Sequence, residues 1–247
     1  DRDAIFVEGI RLCEEALRSD LDVRDCFVST NGLMNERVKI LATAVAGSGA
    51  KVGEVGEDLF RSIADTDSPQ GIAVICDRPG TGQKDFEERF NLSNEQIPLV
   101  IFLEEVNNPS NLGAIVRTAE AAGAAGVIVS KGSADPFSAK AVRASMGSAF
   151  RLPVWSGVDL GTAVTWAGER GMIVTAADID GDKIYTHIDW RKPRLLVFGS
   201  EAHGLSDAHK NKVEDLITIP TSANVESLNL AVSAGVILFE AKRQIET

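Results

Sequence analysis

Three stretches of the sequence concentrate side chains that can position a ligand or move a proton. The first runs from Glu104 to Ala119 and contains Asn111 and Arg117. Asn108-Pro109 predicts a turn, with a helix from about Asn111, so that Asn111 stands at a helix N-terminus and Arg117 about two turns into it. A helix start gathers unpaired N–H groups that suit an anion, and a guanidinium is a rigid fork for a phosphate or carboxylate. A plainer role is equally open, with Asn111 as an N-cap and Arg117 as a solvated helix residue. The second stretch, Leu195 to Leu205, places Gly199, Ser200, Glu201, His203 and Gly204 after an apolar run. Gly199 permits close approach to the backbone and Gly204 a positive φ, while Glu201 stands where the strand ends. The third, Ile219 to Ala231, brings Ser227, Leu228 and Asn229 to the start of the last helical pattern. There Ser227 or Asn224 can simply cap the helix, or its free N–H groups can bind an acceptor.

These stretches need a scaffold, and the hydrophobic pattern supplies one. Short apolar runs at Leu99–Leu103, Gly126–Ser130, Leu152–Trp155, Met172–Ala176, Leu195–Phe198 and Leu216–Ile219 predict strands. Helical spacing over Asn111–Ala122, Ser138–Phe150, Leu160–Glu169 and Ser227–Ile245 separates most of them. Near-continuous apolar strands alternating with helices mean a parallel sheet covered on both faces, an α/β fold. Ligands on such a sheet sit beyond the strand carboxyl ends, where all three stretches fall. Ahead of it, helices over Glu8–Arg18, Asn35–Ala46 and Glu57–Ala64 alternate with strands at Asp25–Ser29, Lys51–Val55 and Gly71–Cys76, which predicts a smaller α/β unit. The run Arg78-Pro79-Gly80-Thr81-Gly82-Gln83 is the clearest break. The expected organisation is therefore a unit over 1–78, a linker over 79–97 containing a polar helix or loop, and a larger domain over 98–247.

Composition narrows the function class. No apolar run reaches the ~20 residues that a membrane span requires. Cys13, Cys26 and Cys76 lack any CxxC or Cys/His spacing, which predicts buried thiols in a reducing cytoplasm and no metal. The formal net charge of -11 is unusual for a nucleic-acid enzyme. Residues 1–78 hold 9 basic and 15 acidic side chains, and residues 98–247 hold 14 and 17, so the larger domain is closer to balance. Binding of RNA would then rest on a few well-placed arginines.

Singly, none of the three stretches decides a function. In this order, as NPSNLGAIVRTAEAAG, LVFGSEAHGL and IPTSANVESLNLAVSAGVILFE, they resemble the motifs of the SpoU (TrmH-like) branch of the SPOUT methyltransferases. The resemblance covers residues 98–247 closely. It extends more weakly to IFVEGIRLCEEAL and SPQGIAVI, which look like an L30e-like substrate-binding domain. Family members commonly carry a further basic helix ahead of this segment, which leaves open whether Asp1 is the native N-terminus.

The resemblance implies a homodimer formed through a C-terminal domain with a trefoil knot. It further implies transfer of a methyl group from S-adenosyl-L-methionine to a ribose 2′-hydroxyl of RNA, with rRNA favoured over tRNA. Carried over by motif position, Arg117, Asn111, Glu201, Ser227 and Asn229 are the catalytic set. Thr175, Ala176, Gly199, Ser200, Gly204, Ile219 and Leu228 are the cofactor set. The family is thought to use the arginine as its base. A guanidinium normally stays protonated, with a pKa above ~12, so Arg117 is expected to bind the phosphate beside the target ribose and steer the hydroxyl. Asn111 would orient the ribose or Arg117, and Glu201 would pair with Arg117 or another arginine. Ser227 and Asn229 would hold the helix start and the substrate hydroxyl, and Arg143 or Arg151 would reach in from the partner subunit. Two rival classes stay open: a SpoU-like dimer that binds RNA without methylating it, and a nucleotide-dependent oxidoreductase, whose glycine fingerprint is missing.

Overall fold

In a computed structural model that describes residues 3–92, 98–201, 203–222 and 225–247, the chain forms two sheets. The first is built from β1 (Ala4–Glu8), β2 (Val23–Ser29), β3 (Lys51–Val55) and β4 (Ile72–Asp77), in the order β1-β4-β2-β3. Strand β4 runs antiparallel to β1 and β2, and β3 is parallel to β2. Helices α1 (Ile10–Arg18), α2 (Glu36–Gly47) and α3 (Glu57–Ile63) connect them. The helix expected from Glu8 begins two residues later, because Glu8 closes β1, a strand hidden beneath overlapping helical spacing. Gly9, at φ 98°, makes the corner, and the Gln70 side chain accepts the Ile10 N–H at 2.9 Å where no cap side chain precedes the helix. The three cysteines are free and buried in this unit. Burial pushes the Cys26 thiol up to about 11 and Cys76 up to about 12, which keeps both as inert core thiols.

Helix α4 (Gln83–Leu92) follows, inside the segment expected as a linker. Its Phe86 is fully buried, 5.5 Å from the Trp166 ring and 6.0 Å from Trp155, which fastens this helix to the larger sheet. That sheet comprises β5 (Leu99–Leu103), β6 (Gly126–Ser130), β7 (Val154–Val158), β8 (Ile173–Ala177), β9 (Lys183–Ile184), β10 (Arg194–Phe198) and β11 (Asp215–Thr218). The order is β7-β6-β5-β10-β8-β11-β9, and every pairing is parallel. The α/β parallel sheet expected from the apolar runs is present, with the two-residue edge strand β9 added. Helices α5 (Pro109–Ala122), α6 (Ala139–Ser145), α7 (Ser148–Arg151), α8 (Leu160–Gly168), α9 (Asp207–Lys210) and α10 (Leu230–Ile245) complete the domain.

Three helix boundaries differ from expectation, each for a local reason. Helix α5 is capped by Asn108, whose side chain accepts the Ser110 N–H, with Pro109 in the first turn, so Asn111 lies inside the helix. The helix expected over Ser138–Phe150 is broken at Met146 (φ 50°) and Gly147 (φ 89°), where the chain turns left-handed. The last helix begins at Leu230, not Ser227, because Asn229 is its cap. The other candidate cap, Asn224, lies outside the described residues.

One apolar cluster runs without interruption from Ile5, Leu12 and Val74 of the first unit to Leu112, Val142 and Ile237 of the second. Ion pairs reinforce the contact: Arg151 with Glu15, Arg143 with Asp65, and Arg78 with Asp135. Arg143 and Arg151, expected to reach toward a partner, are each ion-paired within this chain. Among the described residues no helix is long and apolar enough to cross a membrane.

Candidate active site

The three motifs meet at the carboxyl edge of the larger sheet, through a hydrogen-bonded chain whose polarity is set by the backbone. Helix α10 begins with N–H groups that require acceptors. The Asn229 Oδ1 takes two of them, from Ala231 at 2.9 Å and Val232 at 3.3 Å. Its Nδ2 must then donate elsewhere, and does so to the Asn111 Oδ1 at 3.4 Å. Asn111 is left with its own Nδ2 as donor, and this is bonded to the Glu201 Oε1. A side chain from each motif is therefore oriented by the next. Glu201 pairs with Asn111, not with an arginine as expected.

Beside this chain lies a cavity of about 690 Å³, within the range of small-molecule and cofactor sites. Its walls come from Ala177–Asp180 at the end of β8, from Phe198–Glu201, His203 and Gly204 at the end of β10, from Ile217–Ile219 at the end of β11, and from Glu226–Leu230 at the start of α10, with Asn111 and Lys210 also lining it. Gly199 admits the narrowest part: a Cβ there would fall 2.5 Å from the Gly204 carbonyl carbon and 2.7 Å from the Leu205 nitrogen. The Ser200–Gly204 turn is closed by two backbone hydrogen bonds, of 2.9 and 3.1 Å, with Gly204 at φ 62°.

Of the expected cofactor set, Gly199, Ser200, Gly204, Ile219 and Leu228 line the cavity. Thr175 and Ala176 do not. Both are fully buried within β8, and the Thr175 Oγ1 accepts a hydrogen bond from the Arg194 Nη1 at 2.6 Å. The strand runs on to Ala177, so the cavity is lined from Ala177 onward, by residues that include Asp178 and Asp180, while Lys210 reaches it from α9. Of the expected catalytic set, Asn111, Glu201, Ser227 and Asn229 are brought together. Arg117 is not. Six residues beyond Asn111, it points roughly 120° away around the helix, and its exposed side chain has no hydrogen bond or ion pair among the described residues.

Just beyond β5, Glu104 carries a buried Oε2 with no hydrogen-bond partner in the described structure, 3.8 Å from the His209 Nδ1. Burial pushes its carboxyl above the usual range; the charges of Glu105 and Asp159 add to this, and His209 opposes it. A raised folded-state value means that the group's stabilising contribution is complete at low pH and is lost as pH rises through that value. Glu104→Gln should therefore melt at a higher temperature than the wild type at pH 8 and no higher at pH 4. Equal melting temperatures at pH 8 would contradict this reading.

Comparison with known proteins places this geometry in a family. The SpoU rRNA Methylase family model matches residues 98–239, and a model described as an MRM3-like substrate binding domain matches residues 1–74. The chain belongs to the SpoU rRNA Methylase family, and it is an RNA methyltransferase. It is 32% identical to an uncharacterized tRNA/rRNA methyltransferase of Mycolicibacterium vanbaalenii, over 98% of this chain and 77% of the relative. It is 28% identical to the 23S rRNA (guanosine(2553)-2'-O)-methyltransferase of Bacillus subtilis, over 96% of this chain and 88% of that protein. Among solved structures, AviRb from Streptomyces viridochromogenes in complex with AdoMet superposes with a TM-score of 0.84 at 27% identity, over 98% of this chain and 91% of the other. An AdoMet-bound rRNA methyltransferase from Sinorhizobium meliloti gives a TM-score of 0.84 at 30% identity, over 98% and 88%.

Proposed function

We propose that the chain transfers the methyl group of S-adenosylmethionine to a ribose 2′-hydroxyl of RNA, with rRNA as substrate. The observation that carries this is the chain from the α10 N–H groups through Asn229 and Asn111 to Glu201, at the edge of a cofactor-sized cavity. Support for rRNA comes from the Bacillus subtilis relative and from the substrate-binding module of the N-terminal unit. The working division is a substrate-binding unit over 1–78, a connecting segment over 79–97 and a catalytic domain over 98–247. Reducing conditions suit three free buried thiols, and we assign the activity to the cytoplasm. The direct test is to map 2′-O-methylation in RNA from cells with and without the protein. An rRNA pattern that does not change would overturn the substrate assignment.

When bound, the cofactor supplies an electrophilic methyl group on a sulfonium. The protein's part is to hold the acceptor oxygen in line with it and to ease loss of the hydroxyl proton. Asn111, fixed from both sides, presents a rigid edge to the substrate, and Ser227 lies beside it on the cavity wall. Arg117 acts on the RNA phosphate through its fork. Because it faces outward from α5, its site is completed in a homodimer. Val232 and Phe239, 53% and 50% exposed on one side of α10, provide an apolar surface for the second copy. Arg117→Lys should lower methylation of rRNA by roughly 100-fold while leaving S-adenosylmethionine affinity unchanged. Turnover near wild type would sink the role of the guanidinium.

A further inference from the structure

Asp178 is the first residue beyond β8, and its backbone N–H is bonded to the Ile217 oxygen at 2.9 Å. Its side chain is only 6% exposed, yet it borders the cavity. The two carboxylate oxygens are used differently. Oδ1 accepts from the Lys210 Nζ at 2.9 Å and from the Asp180 N–H at 3.0 Å. Oδ2 accepts nothing among the described residues. It lies 3.8 Å from the point where a Cβ of Gly204 would stand, across a gap that this glycine leaves open. A carboxylate oxygen that opens onto the cavity without a protein donor can accept a hydrogen bond from a bound ligand in place of water.

The chemistry of the missing donor follows from the surroundings. Lys210 offsets the charge of Asp178 and also lies 3.6 Å from Asp180, so the carboxylate is already paired with a cation. A neutral O–H suits it better than a second cation does. Much of the apolar lining (Ile219, Leu228, Leu230 and Ile237) comes from α10 and from the segments just after β11 and just before α10, a surface suited to a nucleobase. A nucleoside seated in the same cavity would offer its ribose hydroxyls as the donors that the Asp178 Oδ2 lacks.

We propose that Asp178 is a specificity-determining residue for the cofactor, its Oδ2 accepting a ribose hydroxyl of the bound nucleoside, and that Lys210 is the positioning residue that aims it. The proposal rests on the cofactor reading given above. The test is calorimetry with S-adenosylmethionine, S-adenosylhomocysteine and the 2′-deoxy and 3′-deoxy forms of the latter. The wild type should bind one deoxy ligand roughly 10- to 100-fold more weakly than the parent, the range for a hydrogen bond to a charged group. Asp178→Ala should bind parent and deoxy ligand alike. Should the alanine variant fail to fold, Asp178→Asn serves. Lys210 then claims the amide oxygen, and the preference should shrink. Lys210→Met should reduce the preference as well. If Asp178 merely shaped the loop, its variants would weaken all ligands by one factor and keep the wild-type preference, which overturns the proposal alone. A wild-type protein that binds neither parent ligand overturns the cofactor reading, and this proposal with it.

Discussion

Replacing Gly199 with alanine should weaken S-adenosylmethionine binding by about 100-fold or more while the chain stays folded. The added methyl has no free space. It would stand 2.5 Å from the Gly204 carbonyl carbon, 2.7 Å from the Leu205 nitrogen and 2.8 Å from the Gly204 oxygen, all of them backbone atoms that cannot swing aside. The strain must fall on the Ser200–Gly204 turn, whose paired hydrogen bonds hold Glu201 against Asn111. A displacement near 1 Å at such a site can cost about two orders of magnitude. The turn lies at the surface beyond β10, so the core beneath it should survive. Calorimetric titration measures the affinity, and a far-UV melt checks the fold. An unchanged dissociation constant would mean that the turn takes no part in holding the cofactor.

Arg194→Met should cost roughly 1.5–3 kcal/mol of folding stability, the range for losing hydrogen bonds to a charged group, since Lys183 still pairs with Asp215. Arg194 opens β10 and is 3% exposed. Its Nη1 bonds to Thr175 and to the Asp215 Oδ2, each at 2.6 Å, its Nε donates to the Asp189 oxygen at 3.1 Å, and its guanidinium lies over the Trp190 ring. One side chain thus ties together β8, β10 and β11. Burial alone would raise the Asp215 carboxyl, but hydrogen bonds from Lys183 and Arg194 hold it below the usual carboxylate range. A depressed folded-state value gives stability that is present above the ordinary range and is lost as pH falls through the folded value. The variant should therefore show its deficit in urea denaturation at pH 7 and a smaller one at pH 3. A loss of less than about 1 kcal/mol at pH 7 would place Arg194 among the weakly contributing surface ion pairs.

The sheet was legible because parallel strands buried on both faces leave near-continuous apolar runs, and six of its seven strands were placed to within three residues, the two-residue β9 being missed. The site was legible as three motifs but not as a network. That Glu201 serves Asn111 depends on β5 lying beside β10, a pairing between distant segments that no local pattern reports. Thr175 and Ala176 were misplaced because an apolar run does not mark where a strand ends, and Ala177 extends it. The break at Met146 was hidden for a different reason: methionine rarely turns left-handed, and only the following glycine hints at it. Asp178 and Lys210 carry no motif at all. They meet because α9 folds back over the end of β8.

The strand order also has a consequence for how the protein is made. β5, β6 and β7 are neighbours in sequence and can pair as soon as they are synthesised, but the other side of β5 is covered by β10, which begins only at Arg194. Until that segment leaves the ribosome, the row of backbone donors and acceptors along Leu99–Leu103 faces water or another nascent chain. Consolidation of the sheet is therefore a late, long-range event, slow by topology. The half-finished domain is the species most in need of chaperone protection.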